Sequence, residues 1–375
     1  MATAYAVILA GGRGERFWPL STHQRPKQFL TLFGGKPLLQ QAVERLEGVI
    51  PPERTLVITS ADLVPLTCEV LPALPVENVV GEPCGRDTAA ACALACALVE
   101  RRDPDGVVCI LTADQIMRDA PAFRRTLADA IAVAAAHEVI VTIGIAPTAP
   151  ATGFGYIRTG ARFETNADTA FMRVERFVEK PDLDTAQRYL ADGRYLWNAG
   201  MFIWRTQVMR RALATFAPVL DALCDRIVGA SPGAAEAVLG EAYPDLKKIS
   251  VDYAVMEHAD NLVVARGAFG WDDVGSWTSV ADHLPADADG NTVVGTCQAL
   301  DAAGNIVVAE EGRVVALLGV SDLIVATRGN VILVCHKDRA QDVRNWHIRS
   351  PMPVGEHPPW DREGMENGAT EGETE

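Results

Sequence analysis

The sequence predicts an α/β protein: a mostly parallel sheet with helices on both faces, followed by a small C-terminal β domain. Three observations carry the prediction. Up to residue 145, apolar runs of strand length alternate with helical patterns, the rhythm of a sheet assembled from β–α–β units. The first run stops at Gly11, Gly12 and Gly14, which sets a tight turn at the carboxyl end of a strand. From Asn291 onward, short β-rich runs follow one another between Gly, Asn and Asp, and helical periodicity is lost.

Taken in order, residues 6–10 are a continuous apolar run, and 38–46 carry apolar residues at helical spacing. A second strand is expected at 56–59. Residues 88–99 form an Ala- and Leu-rich helix with Asp87 as its N-cap. Strands at 107–111 and 139–145 enclose an amphipathic helix at 123–136. Beyond Pro147 glycines and aromatics become denser. A strand is expected at 171–179, a helix at 185–191, a strand at 198–204 and a long helical region up to about 225. The C-terminal runs are 293–296, 306–308, 314–317, 323–326 and 331–335, with a helix at 338–346. Their spacing is irregular, which leaves a true repeat open.

The 375 residues suffice for one large α/β domain and a smaller one. A formal charge of −15 argues against a nucleic-acid partner, which needs a basic face. No run approaches the ~20 apolar residues that span a bilayer. Met1 to Tyr5 lacks the basic residue that opens a secretory signal, so a cytoplasmic protein with no membrane partner is expected. The eight cysteines include no Cys-x-x-Cys pair; Cys92 and Cys96 stand one helical turn apart in the Ala-rich helix and read as core. Residues 349–375 are acidic, with Gly and Pro interspersed, and read as a flexible tail.

Ligands of such sheets bind at the carboxyl ends of the strands. There the first strand runs into Leu9-Ala10-Gly11-Gly12-Arg13-Gly14-Glu15-Arg16. The glycines let the backbone aim N–H groups at phosphate oxygens, and Arg13 and Arg16 add fixed positive charge. The dinucleotide fingerprint is excluded because Phe17 stands where its third glycine belongs, and the P-loop because no Gly-Lys-Ser/Thr follows. Taken alone, the segment reads equally as a tight turn with surface arginines. Pro26 fixes the backbone before Lys27, a cation either solvated or held against a triphosphate. Asp114 follows the strand at 107–111, as a turn cap or as a ligand for a hard cation such as Mg²⁺. Trp18, Trp197, Trp271 and Trp277 are read as packing residues, and His23 and His137 as surface residues.

The wording Gly14-Glu15-Arg16-Phe17-Trp18-Pro19-Leu20-Ser21, with Pro26-Lys27-Gln28-Phe29, resembles the sugar-1-phosphate nucleotidylyltransferase family in its mannose-1-phosphate guanylyltransferase branch. Five further segments agree in order. Glu82-Pro83 with Arg86-Asp87-Thr88-Ala89 is similar to the family's guanine-side loop, and Phe177-Val178-Glu179-Lys180-Pro181 to its sugar-phosphate motif. Trp197-Asn198-Ala199-Gly200-Met201-Phe202 is similar to its sugar-recognition strand. Ser250-Val251-Asp252-Tyr253 and Trp271-Asp272-Asp273-Val274-Gly275-Ser276-Trp277 complete the set. At four positions the chain departs from the family's usual residue: Asp87 for Asn, Ala90 for Pro, Gln115 for His and Ala199 for Ser.

The resemblance implies a Rossmann-like, GT-A-like catalytic domain over 1–285, a β-helix-like cap over 286–348 and the tail at 349–375. It implies transfer from GTP to mannose 1-phosphate, giving GDP-mannose and diphosphate, with Mg²⁺ as cofactor. It places Leu9, Ala10, Gly11, Gly12, Arg13, Gly14, Glu82, Arg86 and Thr88 on the nucleotide, and Arg16, Lys27 and Lys180 in catalysis as phosphate-neutralising cations. Glu82 suits guanine because one carboxylate can accept from the adjacent N1–H and N2–H₂ donors. Gly155, Tyr156, Glu179 and Asn198 fall on the sugar, the first two through their backbone. Asp114 and Asp273 fall on the metal, Asp273 preferred over Asp272 by its place in the motif. The resemblance also implies a homodimer built through the C-terminal β segment. Two other readings stay open: a transferase for another sugar 1-phosphate (glucose or manno-heptose) or another triphosphate, and a non-catalytic protein that binds a nucleotide sugar.

Overall fold

The computed structural model describes residues 2–12, 14–231 and 233–344. Arg13 and the expected tail at 349–375 lie outside the described residues, as does the end of the helix expected at 338–346. Two compact units divide the chain: Met1–Gly11 with Leu39–Asp273, and Gly12–Leu38 with the residues from Val274 onward. This differs from the linear division at 285. The segment after the glycine turn joins the C-terminal unit, where the Phe17 ring lies 5.3 Å from that of Trp277 and Trp277 Nε1 donates to the Trp18 carbonyl at 3.3 Å.

The first unit is built on nine strands: β1 (Ala4–Leu9), β2 (Thr55–Ser60), β3 (Val79–Glu82), β4 (Val107–Thr112), β6 (Ile140–Ile145), β7 (Tyr156–Arg162), β8 (Phe171–Val178), β9 (Tyr195–Arg205) and β10 (Leu262–Gly267). A separate two-stranded ladder joins β5 (Ile116–Met117) to β11 (Trp271–Asp272). The large sheet is ordered β3-β2-β1-β4-β9-β6-β10-β8-β7, and β7 also pairs with β9, closing the last five strands on themselves. β1 is parallel to β2 and β4, β2 to β3, and β6 to β10, whereas β9 runs against β4, β6 and β7, and β8 against β10 and β7. Seven strands therefore point one way and only β8 and β9 the other, so the carboxyl ends of β1, β3 and β4 share one edge.

Helices α1 (Leu38–Glu44), α2 (Val64–Val70), α3 (Asp87–Glu100), α4 (Ala120–Ala136), α5 (Leu183–Asp192), α6 (Thr206–Phe216), α7 (Pro218–Val228) and α8 (Ala235–Ala242) accompany the sheet. α3 is apolar nearly all round, as a helix buried on every side must be. Its alanines let α6 and α7 approach closely, and these helices share one core with Val108 and Ile110 of β4. α4 packs on β4, β6, β9 and β10 and contributes nothing to that core. It starts where the Asp119 side chain accepts from Ala122 N at 2.8 Å, a cap contributing about 1 kcal/mol. Among the described residues no helix is long and apolar enough to cross a membrane.

The second unit carries β12 (Thr292–Val294), β13 (Thr296–Leu300), β14 (Ile306–Val308), β15 (Val314–Leu318), β16 (Leu323–Arg328) and β17 (Val331–His336). β12, β14 and β16 stack in parallel, as do β13 and β15, the pattern of a chain coiling into a β-helix. The repeat left open by the sequence is therefore real. Buried Asn305 donates from Nδ2 to Asn291 Oδ1 at 2.9 Å and accepts from Leu323 N at 2.9 Å, so amides one coil apart satisfy each other.

Candidate active site

At the carboxyl end of β1, Ala10 N donates to the Ile58 carbonyl at 2.8 Å and Gly11 is left exposed. Glu82 ends β3 two strands away and is buried. A Cβ added to Gly11 would lie 3.2 Å from Glu82 Oε2, which puts this carboxylate directly beside the glycine turn. Its other oxygen accepts from the hydroxyl of Tyr243. Burial pushes the Glu82 carboxyl up, and the Tyr243 hydrogen bond opposes that rise. Arg86 and Thr88, placed on the nucleotide by resemblance, are engaged with the protein itself. Arg86 Nε donates to the Tyr243 carbonyl at 3.4 Å and its terminal nitrogen to that of Pro244, while Thr88 Oγ1 accepts from Val251 N at 2.9 Å. Asp87 lies inside the first turn of α3 rather than before it. Its φ of 67° falls in the left-handed region that Asp and Asn tolerate best, and its side chain accepts from Thr88 N at 2.8 Å.

Beyond β4, Ala113 N donates to the Leu9 carbonyl at 3.3 Å, which anchors Asp114 beside the end of β1. The β5–β11 ladder pairs Trp271 with Met117 and Asp272 with Ile116. Its strands are antiparallel, so the residues before β5 and those after β11 leave from the same end. Asp114 and Asp273 thus lie at the same end of the ladder, both half-buried. Between them Gln115 is fully employed: Nε2 donates to the Ala199 carbonyl at 2.9 Å, Oε1 accepts from Trp271 Nε1 at 2.8 Å, and its carbonyl accepts from Arg45 at 2.9 Å. The amide that stands in place of histidine is a strut holding this end of the ladder.

A third group lies where β7, β8 and β9 meet. A Cβ on Gly155 would fall 2.5 Å from Glu179 Oε2 and 3.3 Å from Asn198 Cβ, which puts both side chains directly beside this glycine. Asn198 N donates to the Gly155 carbonyl at 2.8 Å. Asn198 Nδ2 donates to Asp252 Oδ1 at 3.0 Å, while its Oδ1 accepts from Gly200 N at 3.1 Å. Lys180, with φ 44°, reaches Glu179 at 3.0 Å and remains largely exposed. Burial alone would lower the Lys180 ammonium, but Glu179 and Asp252 outweigh it and hold the charge on. The Tyr156 side chain is wholly buried against Tyr195 and Trp197, leaving only its backbone for a ligand.

The sequence assigns no role to Asp252. It opens a single π-helical turn, Asp252–Met256, a local irregularity that recurs at functional sites. Burial and the Glu179 carboxylate push its carboxyl up to about 7. The folded chain then binds this proton more tightly than the unfolded chain, so stability falls as pH rises from the ordinary 3.8 to about 7. Asp252→Asn is expected to remove that fall. Thermal melts on either side of this window should show the variant gaining on the wild type at the higher pH; an unchanged difference contradicts the assignment.

In the second unit Gly14 has φ 60°, and a Cβ there would lie 2.3 Å from Lys27 Cβ. Lys27 opens a short 3₁₀ turn after Pro26 and is only 6% exposed. Arg16 Nη1 donates to the Gly275 carbonyl at 3.3 Å. Val274, next to Asp273, is buried with φ 50°, which strains a β-branched residue.

Residues 5–290 match the family model for nucleotidyl transferase, and residues 295–346 that for the MannoseP isomerase/GMP-like beta-helix domain. The chain belongs to the nucleotidyl transferase family. The mannose-1-phosphate guanylyltransferase of Klebsiella pneumoniae is 38% identical over 345 residues, 90% of this chain and 72% of that protein. The enzyme of the same name from Escherichia coli strain K12 is 39% identical over 347 residues, 91% of this chain and 72% of that protein. The crystal structure of mannose-1-phosphate geranyltransferase from Thermus thermophilus is 40% identical with a TM-score of 0.83, covering 93% of this chain and 100% of that one. A nucleotidyl transferase with a β-helix-like C-terminal domain is thus the architecture on which all the residues named above are displayed.

Proposed function

We propose that this chain transfers the guanylyl group of GTP to mannose 1-phosphate, giving GDP-mannose and diphosphate. An oxygen of the sugar phosphate attacks the α-phosphorus in line, and the bond from that phosphorus to the leaving diphosphate breaks. Positioning and charge neutralisation dominate such a transfer, with little covalent work for the protein. The observation that supports the reading most is the β5–β11 ladder, because it sends Asp114 and Asp273 out from one end of a single pairing. Two hard oxygen donors, with the remaining positions left to phosphate and water, fit Mg²⁺ better than a thiolate-seeking metal. A bound Mg²⁺ would lower the negative charge that the α-phosphate presents to an incoming anion.

The backbone from Leu9 to Gly14 cradles phosphates, Arg16 and Lys27 neutralise the triphosphate, and Lys180 neutralises the attacking phosphate. Glu82 accepts from guanine, with Arg86 and Thr88 bracing the loop that presents it. Glu179, Asn198 and the backbone of Gly155 and Tyr156 meet the sugar hydroxyls. The test is diphosphate release by purified protein with Mg²⁺, four nucleoside triphosphates and the 1-phosphates of mannose, glucose and manno-heptose. GTP with mannose 1-phosphate is expected to give the highest kcat/KM. A higher value for another pair overturns the specificity, and no release with any pair overturns the reaction.

A further inference from the structure

The loop from Glu82 to Arg86 and the short turn Tyr243–Asp245 that follows α8 grip each other at two places. At one, the Tyr243 hydroxyl donates to Glu82 Oε1; at the other, Arg86 donates to the carbonyls of Tyr243 and Pro244. Tyr243 is completely buried, inside the same core as α3 and α7. A carboxylate offers roughly four acceptor sites, and the phenol fills one of them. Glu82 Oε2 is thereby held against the Gly11 backbone. We propose that Tyr243 is a positioning residue for base selection: it fixes the Glu82 carboxylate so that its remaining acceptor sites face the glycine turn and read the 2-amino group of a guanine. The proposal rests on Glu82 being the guanine acceptor.

The chemistry around the pair agrees. Guanine presents two donors, so Glu82 must stay an acceptor, and burial works against that. The hydroxyl bond counters burial. Burial and the Glu82 charge both push the Tyr243 phenol up, which keeps it a neutral donor. The other ionisable groups that bear on this phenol are the thiols of Cys84, in the same loop, and Cys92, on α3. Neither of these weak donors can replace the phenol's bond to Glu82.

The experiment compares GTP with ITP, which lacks the 2-amino group, in wild type, Tyr243→Phe, Glu82→Gln and the double variant. The phenylalanine keeps the ring volume in the core, and thermal melts check that folding is retained. Tyr243→Phe is expected to raise KM for GTP about tenfold, leave kcat near wild type and lower the GTP-over-ITP ratio of kcat/KM by a similar factor. Glu82→Gln is expected to lower that ratio at least as far, with nothing added in the double variant. A ratio that falls in Glu82→Gln and is unchanged in Tyr243→Phe overturns the role of Tyr243 and leaves the Glu82 reading standing. A ratio unchanged in both overturns the two together.

Discussion

Replacing Asp273 with asparagine is expected to lower turnover at least about a thousandfold while the thermal unfolding midpoint stays close to wild type. The two effects separate because of where the residue sits. Asp273 lies just past the β5–β11 ladder, so the pairing survives the change, and asparagine keeps the volume. What is lost is the charge of one of the two carboxylates proposed to hold the ion. The neighbouring residue is an internal control. Asp272 is inside the pairing, opposite Ile116, rather than past its end. Asp272→Asn should therefore keep most of the activity. Steady-state kinetics on the two variants decide the point, and an Asp272→Asn enzyme as impaired as Asp273→Asn contradicts the assignment.

Lys27→Ala is expected to lower kcat/KM by about a hundredfold or more, because a fixed cation aimed at developing phosphate charge is worth several kcal/mol in a water-poor site. Lysine is rarely this buried unless its ammonium is paired. Gly14 packs so tightly on it that a methyl group would overlap its Cβ. Gly14→Ala should therefore act chiefly by displacing Lys27, beyond the ~1 kcal/mol that a left-handed alanine costs. The double variant should then be no worse than Lys27→Ala alone. Losses that add in the double variant would show that the two residues act separately.

How far the sequence disclosed this arrangement depends on the physical signal each part carries. β1, β4 and β6 and helices α3 and α4 are buried runs or amphipathic stretches, and periodicity found them within a few residues. β3 is four residues long, and β7 alternates irregularly at a bulge, so neither leaves a pattern. The reversal of β8 and β9 is a matter of connection, to which periodicity is blind. The same holds for the segment Gly12–Leu38, which looks continuous with β1 but is drawn to the C-terminal unit by aromatic contacts made far along the chain. In the site, Glu82, Glu179, Asn198 and Gly155 could be named from their motifs. Tyr243 lies in no motif. Asp252 lies in one, but the π-helical turn that aims it at Asn198 has no sequence signature. The bonds from Arg86 to the carbonyls of Tyr243 and Pro244 had no sequence signal, because the backbone groups they satisfy lie more than 150 residues along the chain.

Asp114 and Asp273 are proposed to hold one divalent ion between them. Titration with Mn²⁺ as a paramagnetic stand-in for Mg²⁺, followed by electron paramagnetic resonance on enzyme saturated with GTP, measures that directly. Asp114→Asn and Asp273→Asn should each weaken Mn²⁺ binding at least about tenfold, and the double variant should bind little less than either single one. Wild-type affinity in either single variant, or two independent and additive losses, would contradict a shared ion.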